Sequence, residues 1–409
     1  MKKLLQINPV VRENTSTGKI MRELGDMAIK AGWESYIAYS KARDGVPDHS
    51  SRLIPIGDKI DLFLHWLASR LFDAHGLASR RATKRFIKQV QTINPDIIHI
   101  HNVHGYFLNY KLLFEYLAER GKPVIWTTHD CWLYTGHCYH YSAAGCDKWK
   151  TGCGNCPQKN AFPTSWWLDR SHRNWLDKKD SFTAPKGIRF VCVSDWMQQE
   201  MRQSFLKDCP TSVIHNGIDL QVFKPMERPD VLKRYGLEGK SFVLGLASIW
   251  LQEKGLDDLI QLADRLKSDE LLVLVGRMTP EQERSLPKKV IHIGRTTDAQ
   301  ELAALYSAAI VLVNPTWQDN YPTVNLEAIA CGTPVITYRT GGSIESITPE
   351  TGFIVEQGDI AGVSSCLEAI RQRGKAAYSS ACRAYALAHF DKHDRFNDYI
   401  QLYENLTTR

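Results

Sequence analysis

The chain has 409 residues, which is room for two or three domains and excludes a single small core. Hydrophobic residues make up 43% and charged residues 23%, which excludes a disordered, collagen-like or coiled-coil chain. Lys plus Arg number 51 against 45 for Asp plus Glu, and the resulting +6 is too mild to call for nucleic acid but suits an anionic ligand or an anionic membrane surface. Ten Cys stand out, because four of them, Cys138, Cys146, Cys153 and Cys156, follow closely on Cys131.

Taken in chain order, short β-rich runs alternate with helical patterns. Lys2 and Lys3 lead only to Leu4, Leu5 and Ile7 before Asn8-Pro9, too short an apolar run for a signal peptide. No stretch approaches the roughly 18 apolar residues of a spanning helix. A cytoplasmic location follows as the expectation, and with it a reducing environment. Lys3–Ile7 reads as a strand, Gly18–Ala31 as a helix and Ser35–Tyr39 as a strand. Ile60–Gln91 reads as amphipathic and basic. Asp96–His101, Pro123–Thr128, Arg189–Ser194 and Val213–His215 continue the strand series. A second series follows: strands at Phe242–Ala247, Leu271–Val275, Val290–Ile293, Ile310–Val313 and Pro334–Tyr338, with helices near 256–266, 300–307 and 322–331. Ala377–Leu406 reads as helical and aromatic. This alternation predicts an α/β protein with two Rossmann-like, doubly wound parallel sheets facing a central cleft. The predicted domains are 1–222, with a Cys-rich insertion at 131–160, then 223–386, and a helix at 387–409 crossing back to the first domain. Ligands are sought in the loops that follow strands.

The segment Asn314–Gly342, NPTWQDNYPTVNLEAIACGTPVITYRTGG, is the richest in chemistry. Pro322 suits the first helical position, and Asp319 or Asn320 can cap the helix. The amides around Tyr321, Thr323 and Val324 then form an anion site at the positive end of the helix dipole. Glu327 stands about 7 Å further along the helix axis, at 1.5 Å per residue. That suits a carboxylate accepting both hydroxyls of a ribose whose diphosphate sits at the helix start. The bland alternative makes Asp319 a cap and Glu327 a solvated helix residue. The ordered set favours a nucleotide sugar.

Asp319 and Glu327 followed by EAIACGTPVI resemble the E-x7-E segment of family 4 retaining glycosyltransferases, which have the GT-B fold. Four more segments agree in order: VCVSDWM at 191–197, VIHNGID with Phe223 and Pro225, Lys254-Gly255, and Gly341-Gly342 with Glu345 and Thr351-Gly352-Phe353. The resemblance spans nearly the whole chain. It implies a transferase that moves a sugar, with retention of configuration, from a nucleotide-diphosphate sugar to a hydroxyl, without a divalent metal. Asp319 stands where the family usually has Glu, one methylene shorter. LASIWLQEKG lacks the Arg that the family commonly carries before its KG pair. Lys254, helix amides, and Arg277 or Arg339 then remain to neutralise the diphosphate. A lysine in a surface loop is the plainer reading of Lys254.

By the same resemblance, the loop Asn8–Lys19 meets the donor phosphate, with Gly18 as its only glycine. His129 hydrogen-bonds a sugar hydroxyl. The assigned roles are catalytic for His129, Lys254 and Asp319, donor-binding for Gly18, Lys254, Asp319, Asn320, Tyr321, Pro322, Thr323, Val324 and Glu327, and acceptor-binding for His101, Asn102, His104 and Asp130. Strand alternation puts His99 and His101 on one face, as a hydrogen-bonded strand end or, as the second reading, a metal site. Asp130 reads equally as a helix cap.

The C-x7-C-x6-C-x2-C run of Cys138, Cys146, Cys153 and Cys156 suits a tetrahedral structural zinc. Disulfides are the second reading and free thiols the third. The run GHC…C-x-KWKTGCGNCP and DNYPTVNLEA resemble the branch of family 4 that includes colanic-acid and related exopolysaccharide enzymes. In Ile60–Gln91, Arg70, Arg80, Arg81, Lys84, Arg85 and Lys88 stand among apolar residues, and Trp166, Trp167 and Trp175 follow. This is either a membrane-docking surface reaching a lipid-linked oligosaccharide or a core-covering helix with a solvated basic face. A catalytically silent nucleotide-sugar-binding protein and a GT-B sugar-nucleotide epimerase are the alternatives in function.

Overall fold

A computed structural model describes residues 1–12, 15–40 and 49–408, so two residues of the loop Asn8–Lys19 lie outside the described part. The chain divides into two compact units, Met1–Ile214 with Phe396–Arg409, and His215–Arg395. The border falls eight residues before the expected 222, because Val213 still pairs within the first sheet.

The first unit is built on a seven-stranded sheet in the order β3-β2-β1-β4-β5-β6-β7. The strands are β1 (Lys3–Ile7), β2 (Glu34–Ser40), β3 (Arg52–Ile56), β4 (Ile97–Ile100), β5 (Val124–Thr128), β6 (Ile188–Cys192) and β7 (Thr211–Val213). The second carries a six-stranded sheet, β10-β9-β8-β11-β12-β13. Its strands are β8 (Ser241–Ile249), β9 (Glu270–Arg277), β10 (Val290–Ile293), β11 (Val311–Asn314), β12 (Val335–Tyr338) and β13 (Gly352–Val355). Every pairing is parallel. The fold class is therefore two doubly wound parallel sheets, as the alternating pattern predicts. Central strands such as IIHI and VLVN are buried throughout, since helices cover both faces.

Both sheets reverse their winding once, between β1 and β4 and between β8 and β11. At such a switch point the following loops part in opposite directions and leave a crevice at the carboxyl edge. The loops after these four strands are therefore the positions for a ligand within each unit.

Two long helical readings are corrected. Ile60–Gln91 is two helices, Lys59–Phe72 and Arg80–Ile93. Asp73 and Ser79 take left-handed backbone between them, so the chain turns. Ala377–Leu406 is likewise split into Ala376–His389 and Lys392–Thr407, where Asp391 bridges to Ile218. The last helix buries Phe396, Tyr399 and Tyr403 with Leu4, Ile97, Ile125 and Val191 in a core cluster of the first unit. Tyr403 and Thr127 hydroxyls meet the two ring nitrogens of His99, at 2.6 and 2.8 Å, and Tyr399 reaches Thr127 at 3.0 Å. His99 is thus a closed structural residue, which removes the metal reading for it.

Burial holds the imidazoles of His99 and His65 down at about 3. Both are neutral in the fold, whereas the unfolded chain protonates them near 6.5. Below that value the unfolded state binds more protons, so stability is present above about pH 6.5 and falls as pH drops toward 3. Each such histidine contributes a slope of up to about 1.4 kcal/mol per pH unit. Denaturant titrations between pH 7 and 4.5 should show this slope, and His99→Gln should lessen it by about one proton. A pH-independent midpoint would contradict the burial of these rings.

Candidate active site

In the second unit the crevice between β8 and β11 is closed at its base by two loops in direct contact. Trp317 N–H donates to Glu253 O at 2.8 Å, and Thr316 Oγ1 donates to the same carbonyl at 3.3 Å. Gly255 has φ +72°, and a Cβ there would lie 2.2 Å from Pro315 O. Only glycine lets the loop after β8 approach the loop after β11 this closely. The contact brings Lys254 Nζ to Asp319 Oδ2 at 2.9 Å and toward Gln318 O at 3.5 Å. Both partners are partly buried, at 31% and 22% side-chain exposure, so the pair is sheltered yet open to a ligand.

The pair also explains a correction. Neither Asp319 nor Asn320 caps the following helix; Pro322 is the N-cap, with no side-chain cap bond, and Thr323 opens the helix Thr323–Ala330. Asp319 turns to the ammonium because that is the stronger, charge-assisted bond. The first amides of the helix are then not consumed by a cap, which preserves the positive end predicted around Tyr321, Thr323 and Val324. Further along, Tyr306 O–H donates to Glu327 Oε2 at 2.9 Å and fixes that carboxylate. Asn325 ties the helix to Ser343 in the 3-10 turn Gly341–Ser346, at 3.2 Å. His215 Nε2 meets Glu345 Oε2 at 3.1 Å and its ring lies 4.8 Å from that of Tyr321. His215 was not singled out in the sequence. Its place in NG-hydrophobic-D, just before Asn216, was the available signal. Of the two auxiliary cations, Arg339 is engaged by Glu356 at 2.6 Å, whereas Arg277 is exposed at the end of β9.

In the first unit, His101, Asn102 and His104 follow β4, His129 and Asp130 follow β5, and Gly18 is buried in the first turns of the helix Ser16–Lys30 that follows β1. A hydrogen-bond chain fixes the tautomers. Gln6 Nε2 donates to Met21 O at 2.9 Å, so its Oε1 accepts from His101 Nε2 at 3.0 Å. His101 Nδ1 is then an acceptor, and His129 Nε2 donates to it at 3.1 Å. Nδ1 is therefore the acceptor nitrogen of the His129 ring. Burial holds the His129 pKa at about 4, against the pull of Asp130, so the ring is neutral. His101 is 1% exposed with both nitrogens engaged, so it positions His129 and does not itself present a contact surface, contrary to the acceptor-binding expectation. Asp130 accepts from Trp132 N–H at 2.9 Å and pairs with His104 Nε2 at 2.7 Å. Burial raises its pKa, but His104 and the Trp132 amide outweigh that and hold it below the usual carboxylate range. The cap-like bond and the histidine contact are both present, so Asp130 orients His104. Asn102 is 8% exposed, nearly buried at the strand end.

A sugar-transferring enzyme is the class that these two sheets and the Lys254–Asp319 crevice define, and comparison with known proteins agrees. Residues 17–222 match the model described as Glycosyltransferase Family 4, and 241–372 match Glycosyl transferases group 1. The chain belongs to glycosyltransferase family 4 and is a glycosyltransferase. A relative in Escherichia coli K12, WcaC, provisionally named a colanic acid biosynthesis glycosyl transferase, is 25% identical, covering 98% of this chain and 100% of its own. Among solved structures, sucrose-phosphate synthase of Thermosynechococcus elongatus superposes with a TM-score of 0.71 at 20% identity over 100% of both chains. Anabaena HepE in complex with UDP-glucose gives 0.66 at 16%, also over 100% of both. These similarities establish the GT-B type of fold.

Proposed function

We propose that this enzyme transfers a glycosyl group, with retention of anomeric configuration, from a nucleotide-diphosphate sugar to a hydroxyl of a lipid-linked surface-polysaccharide precursor. The observation that carries the reading is the Lys254–Asp319 pair held at the β8/β11 switch point by the Gly255–Pro315 contact. In this reading the diphosphate lies on Lys254 and the amides of Thr323 and Val324, with Asn320, Tyr321 and Pro322 shaping the loop. Glu327, oriented by Tyr306, accepts the ribose hydroxyls. Asp319 holds Lys254 and accepts from the donor sugar. Arg277 is the auxiliary cation that the geometry favours over Arg339. The name of the Anabaena relative's complex, with UDP-glucose, supports a nucleotide-sugar donor.

For the reaction, the acceptor oxygen attacks the anomeric carbon on the face that the diphosphate is leaving. The bond from that carbon to the diphosphate oxygen breaks, and the departing diphosphate takes the acceptor's proton. The products are a glycoside of unchanged configuration and a nucleoside diphosphate. Catalysis then rests on positioning and on stabilising the leaving-group charge. Neutral His129 serves as a hydrogen-bond acceptor through Nδ1, aligned by His101 and Gln6, and Gly18 marks the loop on that side. His104 with Asp130 supports the acceptor side, beside Asn102.

This proposal is tested by transfer from a panel of nucleotide sugars to lipid-linked oligosaccharide. Lys254→Ala should lower turnover about 100-fold or more, as loss of one charge-stabilising donor does. Glu327→Gln should raise the donor KM by roughly tenfold with little change in kcat. Transfer by both variants at the wild-type rate and KM would contradict the assignment, and tight donor binding without transfer or hydrolysis in the wild type would favour a silent binding protein.

The location proposed is cytoplasmic, with the first unit resting on an anionic membrane leaflet. No helix among the described residues is long and apolar enough to cross a membrane. The helix Lys59–Phe72 instead leaves Ile60, Phe63, Leu64 and Phe72 exposed, Ile60 at 70%. Trp166 N–H donates to Arg70 O at 2.7 Å, which seats Trp166, Trp167 and Leu168 beside that helix, with Trp167 72% exposed. Arg80, Arg81, Lys84, Arg85 and Lys88 are exposed on the next helix. Trp175, expected to join them, is only 6% exposed and bonds to Trp149 O. Exposed aromatics beside cations match an interfacial surface. Sedimentation with phosphatidylglycerol-containing vesicles should carry the protein down at low salt and less at high salt. The double variant Phe63→Ser, Trp167→Ser should lose most of this binding, and equal sedimentation of variant and wild type would contradict the surface.

A further inference from the structure

Between β5 and the helix Ser171–Phe182 the chain runs some forty residues with only two 3-10 turns, Ser142–Ala144 and Lys148–Lys150. A segment this long without regular elements needs another source of order. Part of it is aromatic: Trp149 is 1% exposed and packs on Tyr134 and Tyr141, with ring centroids 5.0 and 4.7 Å away. The rest is a pocket lined by Cys138, Cys146, Cys153 and Cys156 together with His137. All four cysteines are free thiols, so disulfides do not hold it.

Three features of the pocket suit a thiolate-bound cation. First, His137 is 2% exposed and its Nδ1 meets Asp73 Oδ1 at 2.7 Å, but its Nε2 has no hydrogen-bond partner. A buried polar nitrogen without a partner is costly, so it points to a group not supplied by the folded chain. Second, Gly136 N–H donates to Cys153 Sγ at 3.2 Å, the kind of backbone bond that supports a ligating sulfur. A Cβ at Gly136 would lie 2.0 Å from Ser171 O and 2.7 Å from Cys153 Cβ, so only glycine permits this approach. Third, Lys178 is 1% exposed, with Nζ bonded to Trp132 O at 2.6 Å and Thr135 O at 2.8 Å. A zinc with four thiolates carries a net charge of about −2, and Lys178, tied to the pocket-lining Thr135, would offset part of that when protonated.

We propose that Cys138, Cys146, Cys153 and Cys156 bind one zinc ion, and that His137, braced by Asp73, donates from Nε2 to the ligating sulfurs. Among the described residues no three of these donors lie within 4.8 Å of one another, so loading draws the side chains inward by rotation. Four thiols release their protons on binding, and no oxidation is involved. The ion fastens the insertion that follows His129 and leaves that residue's hydrogen bonds to the chain unchanged.

The full-length enzyme, purified under reductant without chelator, is tested by elemental analysis. One zinc per chain is expected, with all ten cysteines alkylated after denaturation. Replacement by Co²⁺ should give the intense sulfur-to-metal charge-transfer absorption of tetrahedral thiolate ligation. Cys153→Ser and Cys156→Ser should lose the zinc. His137→Ala should keep one zinc per chain but bind it roughly 10–100-fold more weakly, as measured by competition with a chromophoric chelator. Failure of the folded wild type to take up zinc on reconstitution, or four fewer alkylated cysteines, would overturn the site. Unchanged affinity in His137→Ala would overturn the role given to that residue. Because the wild type and its cobalt spectrum carry the test, misfolding of a Cys variant leaves it intact.

Discussion

The site depends on one ion pair and the backbone contact that makes it. Lys254 and Asp319 lie 65 residues apart, on loops that leave neighbouring parallel strands in opposite directions. They meet because Gly255 admits Pro315 O where any other residue would place a Cβ. A lone, partly exposed pair of this kind contributes little, about 0–1 kcal/mol, to stability. Its value here is positional. In the proposed reading, a sheltered lysine, held at the switch point by a carboxylate beside the positive end of a helix, is prepared for the donor's diphosphate before it arrives. The shorter Asp in place of the family's Glu is accommodated in this way: its oxygen reaches Lys254 instead of the helix amides.

The first unit solves a different problem. Its crevice is lined by histidines, and burial keeps His101 and His129 neutral. Gln6, His101 and His129 form a chain with one consistent set of proton positions, which turns a titratable ring into a fixed acceptor. Beside it, His104 Nε2 meets the Asp130 carboxylate at 2.7 Å.

Much of this was legible in the sequence, for physical reasons. Parallel strands covered on both faces are continuous apolar runs, so ten or more of them stand out, and chemistry collects in the loops that follow them. Two of the four edge strands were missed. β3 is RLIPI, half exposed with a proline, and β13 is only Gly352–Val355 with a glycine at its start, so neither carries the buried pattern. Helix breaks at Asp73–Ser79 and at Asp391 rest on left-handed residues and a long-range bridge, which periodicity does not register. The partners of His99, Tyr403 at a separation of 304 residues and Thr127, follow only from packing of the last helix. Likewise the four cysteines could be grouped by spacing, but the contribution of His137 required Asp73, 64 residues earlier, to be brought beside it.

The central claim is that Lys254 and Asp319 act as one unit on the donor. A double-mutant cycle on kcat/KM for the nucleotide sugar, using Lys254→Ala, Asp319→Ala and the double variant, measures this directly. The account predicts a coupling of about 1–3 kcal/mol, with the double variant little worse than the poorer single one. Additive losses, with coupling below about 0.5 kcal/mol, would mean that the two residues act separately and would contradict it.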